Sequence, residues 1–159
     1  MAVFKTKFES RKQEWETPRD LFERLNQEFG FTLDLAADAS NTKCNTYYTA
    51  EADALTLPWC GVCWLNPPYG SRHHRLSDWV RKAYREAQKP DCTVVMLIPA
   101  RTNTHWWHDY CMKADEIRLL NGRPKFGDAK HGLPQPLAII VFRQHQSRTR
   151  LTSFDVGVS

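Results

Sequence analysis

The chain has 159 residues and a formal charge of +4, which fits a single domain with a mildly basic surface. Hydrophobic residues make up 42% of the sequence, enough for a buried core, but no apolar run approaches the length of a membrane span. The N-terminus lacks the apolar segment of a signal peptide and the cysteine count is odd, so we expect an intracellular protein without a disulfide framework.

Helical and extended patterns alternate along the chain. After a polar arm over 1–13, a helix is predicted at 17–30, with Thr17 as N-cap, Pro18 in the first turn and Gly30 at its end. Further predicted elements are a strand at 31–37, a strand at 61–65, a helix at 76–89, a strand at 93–99, a helix at 104–114 capped by Thr104, and strands at 116–120 and 137–142.

This order predicts an α/β fold with a mostly parallel sheet flanked by helices. The stretch between Asp38 and Trp59 has room for only a brief strand and a turn of helix, so one strand–helix unit is expected to be trimmed. The last two predicted strands can form an antiparallel pair. We expect one domain over 14–143, followed by a polar, frayed tail over 144–159.

The cysteine spacing raises the question of a metal site. Cys60 and Cys63 form a C-x-x-C pair that Cys44, His73 or His74 could complete as a zinc site. Because a second pair with zinc-like spacing is missing, we prefer to interpret these cysteines as small apolar residues beside a strand, and no metal is predicted.

The segment WLNPPYG, 64–70, places Asn66 directly after a predicted strand, where two prolines stiffen the chain. Ligands of open α/β sheets gather at this end of the strands. The exocyclic amine of a nucleobase is a weak nucleophile, and the Asn66 side-chain oxygen and the Pro67 carbonyl can accept its two N–H groups while Tyr69 stacks on the base. The methyl donor implied is S-adenosylmethionine, and a base in a duplex must be rotated out to reach such a site.

Five motifs occur in a characteristic order over residues 15–69, within a resemblance that covers roughly residues 15–143: W-x-T-P, L-D-L-A-A-D-x-x-N, Y-Y-T, D-x-L-x-x-x-W and N-P-P-Y. In this order they resemble the Dam-type DNA adenine-N6 methyltransferases of phages and prophages. The resemblance implies a Rossmann-like methyltransferase fold, trimmed relative to the full seven-stranded version, with S-adenosylmethionine as cofactor. It further implies transfer to adenine N6 at a short site in double-stranded DNA, in the cytoplasm of a bacterial host.

The resemblance also implies roles for individual residues. The catalytic motif would be Asn66, Pro67, Pro68 and Tyr69. The cofactor-binding residues would be Trp15, Thr17, Pro18, Asp34, Ala36, Ala37 and Asp53. The chain departs from the family pattern after its first strand, where LAADASN replaces a glycine-rich turn; Asp38 and Glu51 are candidates for the acid that holds the cofactor ribose.

Several of these residues have a purely structural alternative. Asp34 can cap the backbone of the turn that follows it, and Thr17 can serve only to start the helix. Asp53 can be an acid on a surface loop.

Basic loops beside the motif are the candidates for DNA contact. One directly follows N-P-P-Y, and another lies between the last two strands; in both, a solvated loop is the alternative. The predicted DNA-binding residues are Arg72, His73, His74, Arg75, Arg101, Arg123 and Lys125.

Other acceptors also suit an N-P-P-Y site. Enzymes with this motif can methylate RNA, glutamine amides of proteins or cytosine N4, and a catalytically inert DNA-binding module could keep the same fold. The basic loops and the W-x-T-P segment favour a nucleic acid.

Overall fold

The computed structural model describes residues 16–68, 75–126, 134–144 and 148–157. The helices in these ranges are α1 (Arg19–Phe29), α2 (Leu76–Glu86) and α3 (His105–Asp109), with short 3-10 turns at Ala54–Thr56 and Cys111–Lys113. The strands are β1 (Leu33–Asp34), β2 (Gly61–Leu65), β3 (Cys92–Pro99), β4 (Glu116–Asn121), β5 (Leu137–Phe142) and β6 (Arg150–Asp155). No helix within the described ranges is both long enough and apolar enough to cross a membrane.

The strands form one sheet in the order β1-β2-β3-β5-β4-β6. β1, β2 and β3 pair in parallel, β5 is antiparallel to both β3 and β4, and β6 is parallel to β4. Of the strands described, all except β5 therefore run in one direction, which confirms the α/β class and the predicted β4–β5 pairing. We call the edge where β1, β2, β3, β4 and β6 end the carboxyl edge, and the opposite edge the amino edge.

The sheet has a hydrophobic layer on each face, because successive side chains of a strand point to opposite sides. On one face α1 packs through Leu21, Phe22 and Leu25 against alternate residues of β2, β3 and β5. On the other face α2 packs through Trp79 and Val80, and α3 contributes to the same cluster. β3 is buried over nearly its whole length, as its continuous apolar run predicts.

The predicted start of α1 is wrong in one respect. Its N-cap is Pro18, and no side chain caps the helix, so Thr17 is not the capping residue. The predicted end is confirmed: Gly30 has φ 68°, and its N–H donates to the carbonyl of Asn26. Thr104 caps α3 as predicted by accepting from the N–H of Trp107, although α3 ends at Asp109 rather than at 114.

The chain between β1 and β2 is reduced, as its length predicts. The predicted strand at 31–37 contains only the two residues of β1, and a single bridge joins Asp34 to Tyr47. The helical structure over 35–60 consists of a single 3-10 turn, Ala54–Thr56. A full strand–helix crossover is replaced here by a compact loop.

The expectation of a frayed C-terminal tail is wrong for residues 150–155, which form β6. The side chains of this strand are mostly exposed, so they lack the apolar pattern that marks a buried strand. Its backbone nevertheless pairs with β4, Arg150 pairs with the buried Glu116, and the Arg24 guanidinium lies 4.5 Å from the ring centre of Phe154. Backbone pairing and polar contacts hold this strand in place of hydrophobic burial.

An ionic cluster closes the amino edge beside β2. The Glu86 carboxylate accepts hydrogen bonds from the backbone N–H of Trp59 and from Lys82 Nζ, both at 2.9 Å, and also pairs with Lys89. Lys89 donates to the Trp59 carbonyl at 2.8 Å. Burial raises the pKa of Glu86, but its hydrogen bonds to Lys89, Trp59 and Lys82 outweigh burial and lower the pKa to about 2.

Glu86→Gln should therefore destabilise the fold in a pH-dependent manner. The ionised carboxylate contributes stability above its ordinary pKa of 4.5, and this contribution is lost as the pH falls towards about 2. We expect a loss of about 1–3 kcal/mol at pH 7 that shrinks towards pH 2.5, measured by urea unfolding. Glu23→Gln, which removes an exposed ion pair to Arg19, is the matched control and should cost less than about 0.5 kcal/mol. An equal loss for Glu86→Gln at both pH values would contradict the ionic origin.

Candidate active site

Asn66 lies at the carboxyl edge, directly after the last residue of β2. The neighbouring strands are in register with β2, since Asp34 of β1 is opposite Trp64 and Met96 of β3 is opposite Leu65. Asn66 is half-buried, Pro67 is buried and Pro68 is exposed. The structure thus places three of the predicted catalytic residues at this edge, after the strand that lies between β1 and β3. Tyr69 lies outside the described residues.

A side-chain hydrogen bond joins Asn66 to Thr17. The amide nitrogen Nδ2 of Asn66 donates to Thr17 Oγ1 at 2.9 Å, across a separation of 49 positions in sequence. Thr17 is only 4% exposed. Because the amide nitrogen faces Thr17, the amide oxygen of Asn66 is directed away from it. The hydroxyl that the sequence assigns to helix capping or cofactor binding is therefore bonded to the predicted catalytic amide.

Asp34 closes the loop that follows β1. It is 3% exposed, and its two carboxylate oxygens accept from the backbone N–H groups of Ala36, at 3.3 Å, and Lys43, at 3.0 Å. Burial raises the pKa of Asp34, while these two hydrogen bonds act in the opposite direction. These contacts match the structural alternative, in which this carboxylate caps the turn that follows β1. The carboxylate therefore stabilises the conformation of the loop that lies beside Asn66.

An ion pair that the sequence does not predict completes this arrangement. Lys43 Nζ lies 2.5 Å from a carboxylate oxygen of Glu16, and the Lys43 side chain is largely buried. The pair ties the residues before α1 to the loop after β1, and Thr17 ties the same residues to Asn66. Residues 27 and 49 positions apart carry no local pattern that links them, so sequence reasoning had no signal for either contact.

Small residues lie beside Asn66 on the β1 side. The N–H of Leu35 donates to the carbonyl of Trp64 at 3.0 Å, so the β1–β2 register continues past β1 and brings Ala36 level with Asn66. Ala36 and Ala37 are half-buried, and the N–H of Ala37 donates to the Tyr48 carbonyl. The predicted cofactor segment thus presents small side chains next to the predicted catalytic amide.

Asp53 has an unusual backbone conformation. Its φ of 52° is in the left-handed region, where a residue other than glycine is uncommon and is held by its surroundings. Its carbonyl accepts from both the N–H and the hydroxyl of Thr56, and its N–H donates to the Thr49 carbonyl. The chain maintains a strained aspartate at a position predicted to contact the cofactor.

Four of the predicted DNA-binding residues are described, and they lie towards the carboxyl edge. Arg101 follows β3, and Arg123 and Lys125 follow β4, so all three lie beyond strand ends at this edge. Arg75 is the N-cap of α2. The other end of this helix contacts the amino edge through Glu86, so Arg75 lies about 16 Å from Glu86, towards the carboxyl edge. All four are exposed. Arg72, His73 and His74, like Trp15, fall outside the described residues.

The two cysteines of the C-x-x-C pair lie in different environments. Cys63 is buried, and its thiol donates to the Cys60 carbonyl at 3.3 Å, whereas Cys60 is exposed. The ranges that the structure describes contain no group of three or more histidine, cysteine or acidic residues able to hold a metal ion. His73 and His74 are not among them.

Comparison with known proteins adds independent findings. Residues 5–153 match the family model described as DNA N-6-adenine-methyltransferase (Dam). The chain is similar to the DNA N-6-adenine-methyltransferase of Haemophilus phage HP1, with 36% identity over 122 residues that cover 74% of this chain and 68% of that protein. It is also similar to the DNA N-6-adenine-methyltransferase of Escherichia phage T1, with 34% identity over 107 residues covering 65% of this chain and 42% of that protein. The match thus spans less than half the length of the T1 protein.

Proposed function

The chain belongs to the DNA N-6-adenine-methyltransferase (Dam) family, and from this premise we propose that it transfers a methyl group from S-adenosylmethionine to N6 of adenine in double-stranded DNA, at a short recognition site. The observation that carries the proposal is the placement of Asn66, a half-buried amide held by Thr17 at the carboxyl edge and followed by two prolines. The proposed place of action is the cytoplasm of a bacterial host.

The proposal includes a Rossmann-like methyltransferase fold, trimmed relative to the full seven-stranded version. Five described strands run in one direction with a single reversed strand between two of them, and helices cover both faces. The compact loop over 35–60 stands where a strand–helix unit is trimmed. In such sheets the ligand edge is the one where the parallel strands end, which is the edge that holds Asn66.

The carboxyl edge suits the proposed cofactor. S-adenosylmethionine, when bound, supplies a methyl group on a positively charged sulfur that leaves as a neutral thioether. Small residues beside Asn66 leave space, and the neighbouring hydroxyl, amide and carboxylate groups match an organic cation with amino and hydroxyl groups better than a metal ion. The residues that would hold the cofactor are Trp15, Pro18, Asp34, Ala36, Ala37 and Asp53, with Asp34 acting through its loop. The resemblance also assigns Thr17 to this group, but its hydroxyl is bonded to Asn66.

Asn66 and Pro67 would activate the acceptor. The Asn66 oxygen and the Pro67 carbonyl each accept one N–H of the adenine amine, which directs the nitrogen lone pair away from the ring and towards the methyl carbon. Buried Pro67 and the Thr17 contact fix these acceptors before the substrate arrives. Once the nitrogen carries the methyl group it becomes acidic and loses a proton, so no strong general base is required. Tyr69 is proposed to stack on the base.

DNA would approach along the carboxyl edge. An adenine inside a duplex cannot reach Asn66, so it must rotate out of the helix, at a cost of about a few kcal/mol. The exposed Arg75, Arg101, Arg123 and Lys125 can bind phosphates beside the displaced base. Arg72, His73 and His74, which follow N-P-P-Y in the sequence, are proposed to do the same.

The function is tested most simply by offering several acceptors. With an isotopically labelled methyl donor, the protein should label duplex DNA, and mass spectrometry of its nucleosides should find the label in N6-methyladenine. Asn66→Ala should lower the rate about 100- to 1,000-fold while donor affinity stays within a few-fold, because it removes an acceptor for the amine. Asn45→Ala, at an exposed loop position, is the control. Label in RNA, protein or N4-methylcytosine in place of adenine, or near-normal rates for Asn66→Ala, would contradict the proposal.

The proposed DNA-binding edge is tested by removing one positive charge from either end of α2. Arg75→Ala should weaken DNA binding several-fold and reduce the slope of log affinity against log salt by about 0.9, because one phosphate contact is lost. Arg85→Ala removes the same charge at the other end of the helix and should have little effect. Fluorescence anisotropy with a labelled duplex at several salt concentrations measures both. Equal effects of the two variants would argue against the carboxyl edge.

The role of Asp53 is tested separately from its backbone strain. Glycine adopts a φ of 52° without penalty, so Asp53→Gly should keep or raise the melting temperature. If the carboxylate contacts the cofactor, the same change should weaken S-adenosylmethionine binding about tenfold, measured by calorimetry. Asp53→Asn, which tolerates this conformation and keeps an acceptor, should bind more tightly than Asp53→Gly. Wild-type affinity for Asp53→Gly would remove Asp53 from the cofactor site.

A further inference from the structure

We propose that Thr17 is a positioning residue that anchors the Asn66 amide and supplies the acceptor that Nδ2 needs when Oδ1 binds the adenine amine, and that this is its main contribution to the reaction. Its buried hydroxyl accepts from Asn66 Nδ2 at 2.9 Å, so the amide oxygen, the proposed acceptor of the adenine amine, is directed away from Thr17. The inference rests on the proposed function, but it departs from the cofactor-contact role that the sequence resemblance assigns to Thr17.

The Thr17 side chain is not used by the helix that it precedes. Pro18 is the N-cap of α1, and no side chain caps that helix. Within the described part of the chain, Asn66 is the hydrogen-bond partner of the Thr17 hydroxyl. Because Thr17 is only 4% exposed and its hydroxyl is bonded to the predicted catalytic amide, this amide is the group that the hydroxyl affects most directly.

Orientation matters because the two ends of an amide have opposite hydrogen-bonding character. A half-turn of the Asn66 amide would present its NH₂ to the adenine amine, and two donors repel. When the amine occupies Oδ1, Nδ2 needs an acceptor of its own in this half-buried setting. The Thr17 hydroxyl supplies that acceptor, and it therefore stabilises the amide in the reactive orientation.

Thr17 itself is held from both sides. Before it, Glu16 pairs with Lys43 at 2.5 Å, and the backbone of Lys43 is bonded to buried Asp34. After it, Pro18 leads into α1, whose apolar face packs on the sheet. The hydroxyl is thus a fixed acceptor, which is what a positioning group requires.

The test compares Thr17→Val, which keeps the branched shape without the hydroxyl, with Thr17→Ser, which keeps the hydroxyl. Single-turnover rates with enzyme in excess over duplex DNA and saturating S-adenosylmethionine report the chemical step rather than product release. We expect Thr17→Val to slow this step about tenfold, the effect of losing one hydrogen bond, and Thr17→Ser to recover most of the rate. Donor affinity should stay within about twofold of wild type in both, because the hydroxyl is bonded to the amide rather than to the donor.

Two outcomes would overturn the inference while leaving the proposed function intact. One is a wild-type single-turnover rate for Thr17→Val. The other is a loss of donor affinity in Thr17→Val with a normal rate at saturating donor, which would return Thr17 to the cofactor site. If valine lowers the melting temperature below the assay range, Thr17→Ala compared with Thr17→Ser gives the same decision. Failure of the wild-type protein to methylate adenine would overturn the proposed function itself.

Discussion

The hydrogen bond from Asn66 Nδ2 to Thr17 Oγ1 is the interaction on which the site depends. It joins Asn66, which directly follows β2, to Thr17, which lies just before the N-cap of α1, and it anchors the Asn66 side chain at the carboxyl edge. The Glu16–Lys43 ion pair and the Asp34 hydrogen bonds connect the same region to the loop after β1. These contacts connect three segments that are distant in sequence at the carboxyl edge, so the proposed acceptors of the adenine amine would be held in place before substrate binds.

The sheet makes that surface possible with a short chain. Because all the described strands except β5 run in one direction, the residues that follow β1, β2, β3 and β4 meet at one edge. Ala36 and Ala37 of the predicted cofactor segment, the predicted catalytic amide of Asn66 and the exposed Arg101, Arg123 and Lys125 therefore lie along the same edge. The loop over 35–60 takes the place of a larger crossover, and Asp34 stabilises its first turn through two backbone N–H groups. The predicted DNA-binding residues Arg101, Arg123 and Lys125 follow strands that end at the same edge.

Local patterns predicted most of the fold and the position of Asn66 at the carboxyl edge. The apolar stripe of α1, the continuous run of β3 and the prolines after Asn66 are visible over a few residues, and all three elements lie where the sequence predicts. Long-range polar contacts are not visible in that way. Thr17 is a residue type typical of a helix N-cap, yet it forms a hydrogen bond with a residue 49 positions away. The side chains of β6 are mostly exposed, and backbone pairing holds this strand in the sheet. Tertiary partners overrode local propensity at both places.

The most direct test of the account is a crystal structure of the protein with a DNA duplex and an unreactive analogue of S-adenosylmethionine. The account predicts a rotated-out adenine whose N6 lies within about 3.2 Å of both Asn66 Oδ1 and the Pro67 carbonyl, with Asn66 Nδ2 still bonded to Thr17. An adenine N6 more than about 4 Å from Asn66, or an Asn66 amide whose oxygen faces Thr17 in that complex, would contradict it.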